Sequence, residues 1–247
     1  MREGGSLPAI IEADDDGMYV LKFSGAGQGR KALIAELVAG ELARAAGLLV
    51  PEIVFVELDP ELARTEPDPE IQDLIKASAG LNLALDYLPG SITFDPLIQK
   101  PEPELAASVV WFDAYTTNVD RTLRNTNILV WHRKLWLIDH GAALYFHHAW
   151  ETDYVKRSRS PFAQISEHVL LPFAASLSEA DAELSGKLTP EVIRSIIELI
   201  PETWLGNEAR FASTEQQRSA YAEYLLGRLV LPRDFVEEAN RARALYI

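Results

Sequence analysis

The chain of 247 residues contains no cysteine. That absence excludes disulfides, thiolate metal sites and cysteine nucleophiles, and it is compatible with a reducing compartment. Also missing is any apolar run of the roughly 20 residues that a membrane-spanning helix needs. The opening Met1-Arg2-Glu3-Gly4 lacks the apolar core of a signal peptide, so the expected location is the cytoplasm, away from a membrane. Basic residues are in the minority: 23 Lys and Arg face 37 Asp and Glu, a formal charge of −14. So acidic a chain argues against nucleic acid as a direct ligand and against tight attachment to anionic lipid. No internal repeat is visible. Apolar residues make up 48% of the chain, which is ample for a core, and the length suits one compact unit rather than two independent domains.

What is there is concentrated in residues 118–141, N-V-D-R-T-L-R-N-T-N-I-L-V-W-H-R-K-L-W-L-I-D-H-G. Asp120 is followed five residues later by Asn125. Ile128–Trp131 and Leu135–Ile138 are short, rich in β-branched and aromatic residues and bounded by polar ones, so they read as strands. His132-Arg133-Lys134 reads as the hairpin loop between them. Pairing Trp131 with Leu135 puts Ile128 opposite Ile138 and Asn127 opposite Asp139. The hairpin is then apolar in its middle and carries amide and carboxylate oxygens at its open end. Mg²⁺ takes hard oxygen ligands, usually one or two carboxylates with phosphate oxygens and water, and Asn125 with Asp139 supplies such a pair. An Asp, an Asn and a second Asp in this order are the layout that holds metal and phosphoryl groups in kinase-type sites. Asp120 is placed to accept or orient the proton of an attacking hydroxyl. Arg121 either steadies that loop or neutralises phosphate charge. Asn127 competes with Asn125 for the metal role; the five-residue step from Asp120 favours Asn125.

These residues carry a resemblance to the HipA-like kinases of the small, single-domain sort, and the hairpin is similar to that of phosphoinositide 3- and 4-kinases, with Asp-Arg…Asn followed by Ile-Asp-x-Gly. The chain departs from ordinary protein kinases: Asn118-Val119 stands where His-Arg would precede the Asp, and His140 follows Asp139 where Phe would. The resemblance extends from about Gly5 to His168. It implies an α+β, bilobed protein-kinase-like fold, with a small β-rich N-lobe carrying one helix (1–88) and a larger helical C-lobe (89–247). It further implies ATP and Mg as cofactors and phosphoryl transfer to a hydroxyl, a protein Ser or Thr being the expected acceptor. Some relatives act with a DNA-binding antitoxin partner; no motif here points to one.

The N-terminal half supplies the remaining pieces. Met18–Phe23 reads as a strand with Lys22 on the face of Met18 and Val20. A lysine on an apolar face needs an anionic partner, because a lone buried ammonium is costly. A helix follows from Lys31 to Ala46, ended by Gly47. Glu36 shares a face with the small residues Gly40 and Ala43, leaving room for Lys22 to approach, whereas Glu41 is spaced to pair with Arg44 on the surface. Asp14-Asp15-Asp16-Gly17 reads as a hairpin turn. Gly4-Gly5-Ser6-Leu7-Pro8 matches in position the family's phosphate-covering loop, with Gly5 and Ser6 at its centre. Ser24–Lys31 resembles a phosphate loop but breaks both glycine-rich patterns and reads as a mobile linker. Leu81–Leu88 is a strand ended by Pro89-Gly90; in the implied fold the backbone around Asp86, Tyr87 and Leu88 meets adenine. Asp59–Asp73 reads as an exposed connector, Leu105–Thr116 as a buried helix, and Thr189-Pro190-Glu191 as a helix start. Two further helices are expected at 213–231 and 233–246. His147, His148 and His168 lack metal-ligand spacing and read as structural or substrate-facing.

Overall fold

The computed structural model describes residues 7–27, 29–150, 153–206 and 208–246. Its N-terminal part is a four-stranded antiparallel sheet in the order β1-β2-β4-β3, formed by β1 (Ala9–Glu12), β2 (Met18–Lys22), β3 (Ile53–Leu58) and β4 (Gly80–Asp86). β1 and β2 are joined through the acidic turn, where Asp16 takes a positive φ of 62° and Asp15 accepts from the Gly17 amide. Between β2 and β3 runs α1 (Arg30–Ala46), ended by Gly47 in the left-handed conformation at φ 91°. The β3 run Ile-Val-Phe-Val-Glu-Leu, bounded by Pro51 and Pro60, has a strand composition that went unread in the sequence. The acidic connector after it holds a short 3₁₀ turn and α2 (Pro69–Ala77), started by Asp68, whose side chain caps the Glu70 amide.

The C-terminal part is helical around a second sheet of β5 (Ile92–Thr93), β6 (Ile128–Trp131) and β7 (Lys134–Leu137). Its helices are α3 (Pro103–Thr116), α4 (Tyr154–Arg157), α5 (Leu177–Lys187), α6 (Pro190–Glu198), α7 (Thr214–Leu229) and α8 (Asp234–Arg243). The caps follow the sequence signals: Thr189 accepts from the Val192 amide with Pro190 in the first turn, and Ser213 accepts from Gln216. α3 is buried nearly all round, from Ala106 to Thr116, as its continuous apolar run requires.

The division of the core decides what is rigid. A small cluster centred on Leu21, Phe23, Leu58 and Ala84 lies between the N-terminal sheet and α2. α1 does not belong to it. Leu33, Ile34, Leu37, Val38 and Leu42 join the large cluster that also holds α3, the β6–β7 hairpin and the C-terminal helices. Gly40 permits this helix to lie close to β3, since a Cβ there would clash with Ile53 Cδ1. Arg30 and Lys31 at the start of α1 reach Thr203 O and His147 O, and Lys187 of α5 reaches Ala46 O at its end. The helix that carries Glu36 is therefore fastened to the C-terminal part at both ends.

Candidate active site

The β6–β7 hairpin positions two of the polar residues. Its register differs by one residue from that expected: Trp131 pairs with Lys134 and Ile128 with Leu137. The cause is the turn. His132 and Arg133 both take positive φ, 48° and 64°, so the loop is a two-residue turn twisted to match the strands, and Lys134 belongs to the strand. Ile138 accordingly donates its amide to Asn127 O, and Asp139 lies one step beyond the ladder rather than opposite Asn127. Ile128, Val130, Leu135 and Leu137 pack on the large core. Trp131 binds Pro89 O through Nε1 at 2.9 Å, tying the hairpin to the segment after β4.

Lys22 reaches across the lobes from the end of β2. Its Nζ donates to Glu36 Oε2 at 2.5 Å and to Asp139 Oδ1 at 2.6 Å. The Glu36 side chain is fully buried, that of Lys22 14% exposed and that of Asp139 40% exposed, so the ion pair opens outward at the aspartate. Burial opposes the charge on Lys22, but the two carboxylates outweigh it and raise its pKa. Burial likewise opposes the Glu36 charge; Lys22 first, and then a contact from His140 Nδ1 at 3.4 Å, overcome it and hold the carboxyl well below the usual range. Glu41, by contrast, sits 3.6 Å from Arg44, the surface pair read from their spacing.

The loop between α3 and β6 brings Asp120 to the same place. Asp120 Oδ2 accepts from Asn125 Nδ2 at 2.6 Å and from Asn127 Nδ2 at 3.3 Å. Asn125 is exposed; Asn127 is buried, holds a positive φ of 48° and also touches Asp139 O at 3.5 Å. Both asparagines are thus drawn to the first aspartate, and Asn127 alone bridges to the second among the described residues. Arg121 turns inward. Its Nε donates to Asp113 Oδ2 at 2.6 Å, and its Nη1 to Asn127 O and Ile138 O, so it staples the loop to α3 and to both hairpin strands. His168 Nε2 lies 2.8 Å from Asp113 Oδ2 while its Nδ1 accepts the Leu170 amide, which fixes the ring proton on Nε2. Asn118 completes this buried set on Asp113 Oδ1 and accepts the Asp120 amide. Burial raises the cost of the Asp113 charge, but Arg121 and His168 hold its pKa well below the usual range. Asp113 was not read as functional from the sequence; an aspartate inside an apolar helix, eight residues before Arg121, was the available signal.

Two hollows flank the end of the hairpin, one lined by Asp139 and the other by Ile138. The smaller, about 290 Å³, is lined by Lys22, Asp120, Asp139, Gly141, Tyr145 and His148 together with Leu7, Pro8 and Ala26. The larger, about 820 Å³, runs from Thr93–Ile98 along Leu123–Leu129 to Ile138 and includes Asn125 and Asn127. Asp86 and Leu88 line a separate depression of about 500 Å³ with Trp131 and Trp136. The Asp86 and Tyr87 amides are already taken by Glu52 O and Met18 O. Gly5 and Ser6 lie outside the described residues. The glycine-containing linker after β2 is tied down at its start, where Ser24 and Gly25 donate their amides to Asn82 Oδ1 and Ser78 Oγ. No group of three or more His, Cys, Asp or Glu residues placed to hold a metal ion occurs among the described residues, and no described helix is long and apolar enough to cross a membrane.

Comparisons with known proteins agree with this architecture. A family model described as HipA-like kinase matches residues 1–237. Among solved structures, the proinflammatory kinase CtkA of Helicobacter pylori superposes with a TM-score of 0.51 at 13% identity, covering 100% of this chain and 94% of that one. No curated protein matches the chain.

Proposed function

Because the chain belongs to the HipA-like kinase family, we propose that it transfers the γ-phosphoryl group of ATP, with Mg²⁺, to the hydroxyl of a protein serine or threonine. The observation that carries this reading is the meeting of Lys22, Glu36, Asp120, Asn125, Asn127 and Asp139, drawn from β2, α1, the loop before β6 and the end of the β6–β7 hairpin. The donor set suits the ion. One partly exposed carboxylate with neighbouring amide oxygens, and no cluster of three or more ligating side chains among the described residues, matches a cation that keeps waters and relies on phosphate oxygens. Asp139 and Asn125, or Asn127, would hold Mg²⁺, which when bound neutralises phosphate charge.

Each residue then has a definite task. Lys22 has three N–H donors, two of them spent on Glu36 and Asp139, and the third is free for a phosphate oxygen. Glu36 keeps that ammonium charged and aimed. Asp120 has Oδ2 held by the two asparagine amides, leaving Oδ1 to accept the proton of the acceptor hydroxyl as its oxygen bonds to the γ-phosphorus and the bond to the β-phosphate oxygen breaks. Arg121 acts through its staple, setting the height of the loop. The larger hollow, with Leu129 and Ile138 on its floor, suits the nucleoside end, and the smaller one, beyond Asp120, suits the acceptor. Thermal unfolding with ATP and Mg²⁺ tests the ligand reading. At a hundredfold excess over Kd, binding adds about 2.7 kcal/mol, a rise of roughly 5–10 °C in Tm for this size of chain. The rise is expected to require Mg²⁺ and to shrink in Asp139→Ala; an equal rise without Mg²⁺ contradicts the proposal.

A further inference from the structure

The loop that carries Asp120 hangs from a single carboxylate of α3, and one donor to that carboxylate comes from a segment well beyond the hairpin. Asp113 accepts from Asn118 Nδ2 on Oδ1 at 3.0 Å, and on Oδ2 from Arg121 Nε at 2.6 Å. His168 Nε2 lies 2.8 Å from the same Oδ2. Asn118 in turn accepts the Asp120 amide at 3.1 Å. Asp113 therefore governs both Asn118, which holds the Asp120 amide, and Arg121, which follows Asp120. The bonds of His168 are directed by partners that can act in one way only. A backbone amide donates, so the Leu170 amide, 3.1 Å from Nδ1, requires a lone pair there. An ionised carboxylate accepts, and the Arg121 guanidinium against Asp113, both side chains fully buried, keeps it ionised. The ring thus carries its proton on Nε2 and donates it to Oδ2. The main chain repeats the connection: Val169 donates its amide to Arg121 O at 3.1 Å, and His168 pairs with Thr122 in an antiparallel bridge. Behind this seam Ile165, Val169, Leu170 and Leu171 are buried in the large core.

We infer that His168 is a positioning residue for phosphoryl transfer: its Nε2–H fixes the Asp113 carboxylate, which through Asn118 and Arg121 sets the place of Asp120. The ring lines neither of the two hollows and acts only through Asp113. The inference rests on the reading of Asp120 as the group that takes the proton of the acceptor hydroxyl. With both donors on Oδ2, the carboxylate plane has one orientation. Without His168 it can turn toward Arg121 alone, and Asn118, bonded to the other oxygen, turns with it. The Asp120 amide then loses its fixed acceptor. A displacement of about 1 Å in a reacting group can cost a hundredfold in rate. The loss belongs to kcat, because Lys22, Glu36 and Asp139, which face the nucleotide, lie outside this set.

Two substitutions separate the two bonds of the ring. A glutamine carries its amide nitrogen near Nε2 and keeps the donor to Asp113. An asparagine carries its amide oxygen near Nδ1, keeping the acceptor for Leu170 and losing that donor. The kinetic arm uses Mg-ATP and a degenerate pool of peptides, each with a single Ser or Thr. His168→Gln should hold kcat within about threefold of wild type and His168→Asn lower it roughly ten- to a hundredfold, with KM for ATP near the wild-type value in both. Equal kcat in the two variants, or an effect confined to KM, overturns the inference. Amide hydrogen exchange needs no substrate: at Asp120 it should quicken about tenfold in His168→Asn, the loss of one hydrogen bond, and stay near wild type in His168→Gln. Quickening spread evenly over the whole chain marks a merely structural role and overturns the inference. Should the asparagine variant not fold, ¹⁵N-histidine spectra of the wild type still decide, since a proton on Nδ1 of His168 removes the bond to the Leu170 amide and the argument with it. The expected exchange pattern without any Asp120-dependent transfer to the pool instead overturns the proposed function, and the positioning role falls with it.

Discussion

At the scale of the residue, the site depends on charges that are affordable only in company. Glu36 is buried completely, and its carboxylate survives there because Lys22 and His140 outweigh desolvation. Its pKa is lower folded than unfolded, so its stabilising contribution is complete above the ordinary carboxylate range and is lost as pH falls through and below it. Asp113, held down by Arg121 and His168, behaves in the same direction. Tm is thus expected to fall steeply from about pH 5 downward, and Glu36→Gln to fall less steeply over that window; parallel curves for the two proteins contradict the assignment. Lys22 works with the opposite sign: its raised pKa contributes below the ordinary lysine value and is lost only in strong alkali. The Lys22–Glu36 pairing was legible in the sequence, because a lysine on an apolar strand face demands a partner and the following helix offers one carboxylate on a face of small residues. The buried role of Arg121 was not. Asp-Arg in a loop reads the same whether the guanidinium faces phosphate or turns inward, and only the three-dimensional position of Asp113, inside α3, decides it.

At the scale of the element, the hairpin sets where the second aspartate lies. Sequence composition located both of its strands but placed one residue too many in the turn, since His132-Arg133 carries none of the glycine or asparagine that marks a positive-φ pair. Two non-glycine residues in the left-handed region cost about 1 kcal/mol each. Replacing them with the favoured pair, His132→Asn with Arg133→Gly, is expected to raise stability by about 1 kcal/mol, or roughly 2–4 °C in Tm, with phosphoryl transfer unchanged. A lowered Tm speaks against the two-residue turn. Arg121→Ala is expected to do the reverse. It leaves Asp113 buried without its main cation, and loss of one partner of a buried pair costs about 3–5 kcal/mol. Urea unfolding measures this directly, and a cost below about 1 kcal/mol places Arg121 outside the staple. β3 and β5 escaped the sequence reading for different reasons. β3 lay in a stretch passed over between two stronger signals, and β5 is two residues long, held only by its pairing with β6.

At the scale of the whole molecule, the small sheet meets the helical part through the ionic bridge from Lys22 to Asp139, through Trp204 on Leu81 O and Phe55, and through Leu83 in the large core, while α1, with Glu36, shares that core and is fastened there at both ends. The bilobed plan was legible because the motif at 118–141 is long and ordered. The docking of α1 onto the C-terminal helices was not, since no local pattern records which of two cores a helix joins. The chain's charge of −14 sets local demands as well: on the proposed reading, the anionic nucleotide finds its positive charge in Lys22 and a bound cation, not in the surface at large. The most direct test of the account is transfer from γ-labelled ATP in Mg²⁺ to protein in a cell extract, by wild type and by Asp120→Ala. A labelled protein band present with wild type and reduced at least a hundredfold in the variant, the scale of a lost general base, is the result the account predicts; a band of equal strength in both contradicts it.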